Sequence, residues 1–130
     1  MKKILIVEDN NDYREIMNLL ITKMGYQVIK AKNSYEAMTL AEAEGPDLIF
    51  MDMKLPDVDG VETASMLKQN PKTSHIPVVA LTAWISALGE EEGSKAGITT
   101  YLIKPVSLQM LKQTIEEYTS RSRTRTEGQL

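Results

Sequence analysis

Glu8-Asp9, Asp52, Thr82 and Lys104-Pro105 each stand where a short β-type run gives out: after KILIV, LIFM, PVVAL and YLI respectively. In an open parallel α/β sheet, ligands bind in the crevice outside the carboxyl ends of the strands. If these runs are strands of one such sheet, a single crevice holds three carboxylates, a hydroxyl and an ammonium. That set suits a divalent cation together with a phosphoryl group. A carboxylate can act as nucleophile on phosphorus and form an acyl phosphate, and Asp52 is the candidate. Two anions must then meet, and a cation held by Glu8, Asp9 and Asp52 would lower their repulsion and template an in-line geometry. Lys104 would reach a phosphoryl oxygen as a point charge, and Thr82 offers a hydroxyl to the same group. Pro105 is a candidate for a cis preceding bond that would set where the lysine emerges. Taken singly, each residue has a plainer reading: a turn-forming Asp, a surface hydroxyl, a solvated lysine. Their convergence on one sheet edge favours the chemical one.

The elements that must position these groups follow from periodicity. Lys3 to Val7 is β-branched, and from Asp12 the apolar residues Tyr13, Ile16, Met17, Leu20 and Met24 recur at helical spacing until Gly25. Tyr26 to Ala31 reads as a second strand, and Asn33 with Glu36 is spaced like a capping box for a second helix that stops at Gly45-Pro46. Leu48 to Met51 is apolar on both faces, as expected of a parallel sheet covered on both sides. A short helix after Gly60 ends near Gln69, and Ile76 to Leu81 is a fourth strand with Pro77 at its start. Ile85 to Ala96 reads as the weakest helix, since Gly89 and Gly93 each cost about 1 kcal/mol relative to Ala. Thr100 to Ile103 is a fifth strand. Ser107 caps a last helix with Leu108, Leu111, Ile115 and Tyr118 on one face. Strands alternating with helices predict an α/β fold, a three-layer α/β/α sandwich with right-handed crossovers. The domain is expected over residues 1–119, with 120–130 as a disordered polar tail.

Composition limits the alternatives. At 130 residues, 42% hydrophobic and 25% charged, the chain has the profile of one soluble domain. Without cysteine, thiolate catalysis and cysteine-based zinc sites are excluded, and one histidine, His75, rules out histidine clusters. Any metal must then be a hard, oxygen-ligated ion such as magnesium, manganese or calcium. A net charge of −3 argues against nucleic acid as the main partner. No apolar run is long enough for membrane insertion, so a cytoplasmic location is the default expectation. Met17 and Met51 sit at core positions, so the eight methionines read as packing rather than as an adaptable surface.

The segments IVEDNND, MDMKLPDVDG, VALTA and YLIKP resemble the receiver domain of bacterial two-component response regulators, over about Lys2 to Tyr118. The resemblance implies a five-stranded parallel sheet of flavodoxin-like order 2-1-3-4-5. It implies Glu8 and Asp9 as the metal-binding acidic pair and Asp52 as the phosphorylation site, with the backbone carbonyl of Lys54 as a further ligand. The ion would be Mg2+, with Mn2+ as a substitute. Thr82 and Lys104 match the switch hydroxyl and the phosphoryl-pairing lysine, and Tyr101 the aromatic that swings inward when the threonine moves. Implied partners are a sensor histidine kinase or histidine phosphotransfer protein and a downstream effector protein, with the chain a monomer or a phosphorylation-dependent dimer. Such a protein is not a turnover enzyme: it takes up phosphate and loses it slowly. The weak helix around Gly89 and Gly93 is expected to respond to phosphorylation. Lys54 and Trp84, each two residues beyond a site residue, are expected to hinder the water that attacks the acyl phosphate.

Two other classes fit the residues less well. A receiver-fold interaction module would have no use for the full set of site residues, and an aspartyl phosphatase needs a second Asp two residues after the nucleophile, where this chain has Lys54. A receiver fragment of a hybrid kinase or longer regulator remains compatible with the sequence.

Overall fold

The computed structural model describes the backbone of residues 1–83 and 87–128, with side chains described for all of these except 87, 88, 90 and 120–128. Five strands, β1 (Lys3–Val7), β2 (Gln27–Ala31), β3 (Leu48–Asp52), β4 (Val78–Thr82) and β5 (Thr100–Ile103), form one sheet of order β2-β1-β3-β4-β5. Every neighbouring pair is parallel. Between and after them run α1 (Asn11–Lys23), α2 (Ser34–Glu44), α3 (Gly60–Gln69), α4 (Ala87–Ala96) and α5 (Leu108–Gly128).

Alternation along the strands sorts the core into two layers. Ile4, Ile6, Leu48, Phe50, Val79 and Leu81 pack against Met17 and Ile21 of α1 and Leu111 and Ile115 of α5. Leu5, Val7, Ile49, Met51, Val78 and Ala80 face Ala37 and Ala41 of α2 and Ala64 and Leu67 of α3. All five β3 residues are buried, which accounts for its unbroken apolar run up to Asp52.

Helix ends follow local chemistry. Asn10, Asn33 and Asp59 each accept a bond from the backbone N–H three residues on, opening α1, α2 and α3. Glu36 reaches back to the N–H of Lys32, one residue beyond the N-cap N–H that the reciprocal bond of a capping box would take. The start of α3 lies so close to β3 that a side chain at Gly60 would run into the Met53 backbone.

One difference from the sequence expectations is instructive. Ile16 and Leu108, assigned to apolar helix faces, are exposed, while Ile21 is fully buried. Residue 85, the expected start of the fourth helix, lies outside the described residues, and α4 is described from Ala87. Helix α5 extends through Gly128.

Candidate metal and phosphoryl site

Register brings the chemical residues together. Val7 pairs with Met51 across the β1–β3 ladder, so Glu8 emerges beside Asp52. Asp52 pairs with Leu81 and Thr82 with Ile103, so Thr82 and Lys104 follow at the same edge. The Lys104 N–H donates to the Thr82 carbonyl at 2.8 Å, continuing the ladder one residue past β5.

Glu8, Asp9 and Asp52 each offer a carboxylate oxygen, and these oxygens lie within 4.8 Å of one another. Glu8 and Asp52 are buried, whereas Asp9 is exposed at the mouth. Lys104 lies among them, its Nζ 2.6 Å from Glu8 Oε1 and 3.5 Å from Asp52 Oδ1. Burial raises the Glu8 carboxyl above its ordinary value, against the lowering effects of the Lys104 hydrogen bond and the Asn10 N–H. Burial on its own would lower the Lys104 ammonium, but the hydrogen bond to Glu8 and the field of Asp52 outweigh it and leave it raised. Three carboxylate oxygens fit a hard divalent ion such as magnesium.

Lys54 is exposed, and its N–H donates to Asp52 Oδ1 at 3.2 Å, closing the turn after β3. Thr82 is half-buried at the end of β4. Tyr101 does not face this crevice. It is half-buried on the α3–α4 side of the sheet, its hydroxyl donating to the Gly89 carbonyl at 3.3 Å. A side chain at Gly93 would overlap its phenol. The Lys104–Pro105 bond is cis. His75 is exposed in the loop before β4, and Trp84 lies outside the described residues.

Several supporting residues were not singled out from sequence. Arg14 donates to the Glu8 carbonyl at 2.7 Å and also to Asn11, holding the β1–α1 loop against the helix that follows it. A cation one helical turn beyond the acidic pair was the available signal. Asp57, in the β3–α3 loop, accepts from the Ser34 and Tyr35 N–H groups at 2.9 and 3.1 Å, tying that loop to the start of α2. No local pattern marks a contact between such distant segments.

A doubly wound sheet with this edge belongs to a defined class. Residues 4–116 match the family model of the response regulator receiver domain, and the chain belongs to that family. Among its relatives is the polar-differentiation response regulator DivK of Brucella anthropi, 39% identical over 117 residues, covering 90% of this chain and 95% of that protein. Among solved structures, the receiver domain of the sensor histidine kinase PA1611 from Pseudomonas aeruginosa, with a magnesium ion coordinated in its active-site cleft, superposes with a TM-score of 0.84. The two are 28% identical, and the match covers 92% of this chain and 98% of that one. The receiver domain of Ssk1 from Saccharomyces cerevisiae, crystallised with the histidine phosphotransfer protein Ypd1, gives a TM-score of 0.84 at 30% identity, covering 93% and 90%. The family is one of signalling receivers rather than metabolic enzymes. Among the described residues, no helix is long and apolar enough to cross a membrane.

Proposed function

We propose that Asp52 accepts a phosphoryl group from a phosphohistidine on a sensor kinase or phosphotransfer protein. The observation that carries this reading is the convergence of Glu8, Asp9 and Asp52 within 4.8 Å, with Lys104 against two of them. An Asp52 oxygen attacks phosphorus, the P–N bond to the donor imidazole breaks, and the imidazole leaves with the bonding pair and takes up a proton. Glu8, Asp9, Asp52 and the Lys54 carbonyl would hold Mg2+, or Mn2+ in its place, which supplies positive charge against the incoming phosphoryl oxygens. Lys104 exchanges its bond to Glu8 for one to a phosphoryl oxygen, and Thr82 supplies a hydroxyl to another. The chain takes up phosphate and loses it slowly by hydrolysis, without turning over a substrate, and Lys54 borders the path of the attacking water. Pulling Thr82 towards the phosphoryl group alters the packing of Tyr101 and α4. The altered surface is then read by an effector protein, in the cytoplasm, by a monomer or a phosphorylation-dependent dimer.

Intact mass after incubation with acetyl phosphate and Mg2+ tests this. Wild type is expected to gain one acid-labile phosphoryl group, and Asp52→Asn none. No gain in wild type, with Mg2+ binding confirmed, would favour a receiver-fold interaction module instead.

A further inference from the structure

Tyr13 lies in the first turn of α1, and by periodicity it is one more apolar residue on the buried face. Its surroundings are more specific. The ring centroid is 4.8 Å from Lys104 Nζ, within the range at which an aromatic face attracts an ammonium. The hydroxyl accepts a hydrogen bond from the Val106 N–H at 3.3 Å. Pro105 has no N–H, so Val106 carries the first donor of the chain after Lys104.

The other end of Tyr13 is fixed. Its own N–H donates to Asn10 Oδ1 at 2.9 Å, and its neighbour Arg14 donates to the Glu8 carbonyl at 2.7 Å. The ring packs at the edge of the core layer formed by α1 and α5. Lys104 is thus bracketed: its N–H is held by the Thr82 carbonyl, and the backbone beyond it is held by the Tyr13 hydroxyl.

We infer that Tyr13 is a positioning residue for Lys104, its ring seating the ammonium and its hydroxyl fixing the loop that carries it. This rests on the reading of Lys104 as the group that pairs with the phosphoryl oxygen. The carboxylates cannot do this work throughout the reaction, because Glu8 must release Lys104 when it turns to a cation. The Tyr13 ring carries no such competing duty. A lysine held over the crevice in advance loses less freedom on meeting phosphate than one free to swing into solvent.

Two variants separate ring from hydroxyl. Tyr13→Phe keeps the ring and loses the bond to Val106, and Tyr13→Leu loses both while keeping apolar bulk. Phosphorylation by acetyl phosphate at saturating Mg2+ is expected to slow about two- to threefold in Tyr13→Phe and roughly tenfold in Tyr13→Leu. Mg2+ affinity should stay within about twofold in both. NMR gives a reading that does not depend on phosphorylation. The Lys104 ε-methylene protons should carry a ring-current shift in wild type and Tyr13→Phe that vanishes in Tyr13→Leu, and the Val106 amide should exchange faster in both variants. Unchanged Lys104 resonances in Tyr13→Leu would overturn the inference, whether or not the protein phosphorylates. So would wild-type phosphorylation rates in both variants. If wild type is not phosphorylated while the NMR shifts appear, the seating of Lys104 stands and the reading of Asp52 fails.

Discussion

The two edges of the sheet's active end are built differently. On the β1–β3 side, every residue from Ile4 to Glu8 and from Leu48 to Asp52 is buried, and Glu8 leaves the sheet from a fully packed strand. On the β5–α4 side, Ile103 is half-exposed, Tyr101 is half-buried, and the helix that receives it carries Gly89 and Gly93 where a helix would prefer alanine. The first edge fixes carboxylates whose mutual repulsion would push them apart. The second holds a large aromatic in a space left by a missing side chain. The carboxylates sit on the rigid edge, and the capacity to repack sits on the other, beside the strand that delivers Lys104.

The largest effect that should separate the edges is a core truncation under the carboxylates. Phe50 is wholly buried on β3, two residues before Asp52. Phe50→Ala is expected to cost about 3–5 kcal/mol by urea unfolding. Tyr101→Ala, which removes a side chain still partly open to solvent, should cost clearly less. Equal losses would break the contrast.

Gly93 gives a finer test, because the sign of its substitution depends on its neighbour. With Tyr101 present, the alanine methyl would overlap the phenol, and Gly93→Ala should destabilise by about 1–3 kcal/mol. With Tyr101→Ala in the background, the tightest remaining neighbour is the flexible tip of Ile98 at 3.1 Å. The same change should then be neutral or stabilising by up to about 1 kcal/mol, the ordinary gain of Ala over Gly in a helix. A double-mutant cycle measures the difference, and a cost unaltered by Tyr101→Ala would show that Gly93 is not the tyrosine's seat.

Gly93 also shows where reading the sequence stops. Propensity marks α4 as weak because of its glycines, and it does not say that one of them makes room for a ring twelve residues of chain away from the carbonyl that ring bonds. Glu8, Asp52, Thr82 and Lys104 were legible because strand ends are local features and a parallel sheet lines them up. The fold was legible for the same reason, through alternating periodicities. Tyr13 was legible only as an apolar helix residue, since its tie to Val106 spans 93 positions. Ile16 shows the opposite error: helical spacing placed it inward, while the face that α1 presents to the sheet is centred on Met17 and Ile21.

The smallest effect concerns the tie between the β3–α3 loop and α2. Asp57 is exposed, yet the N–H groups of Ser34 and Tyr35 hold its carboxyl below the usual aspartate value of 3.8. These are donors that a helix start leaves without intrahelical partners, and a carboxylate there also meets the favourable end of the helix dipole. The sign follows from proton binding. Below about pH 4 the unfolded chain takes up a proton on Asp57 that the folded chain resists, so this contribution is present at neutral pH and is lost as pH falls through the depressed value. Asp57→Asn should therefore lower stability slightly at pH 7, with the deficit shrinking towards pH 3. Urea unfolding of the two proteins across that range reads the difference directly. A deficit that stayed constant with pH would assign the tie to the shape of the loop rather than to the charge of Asp57. The rigid edge would then owe its order after Asp52 to packing alone.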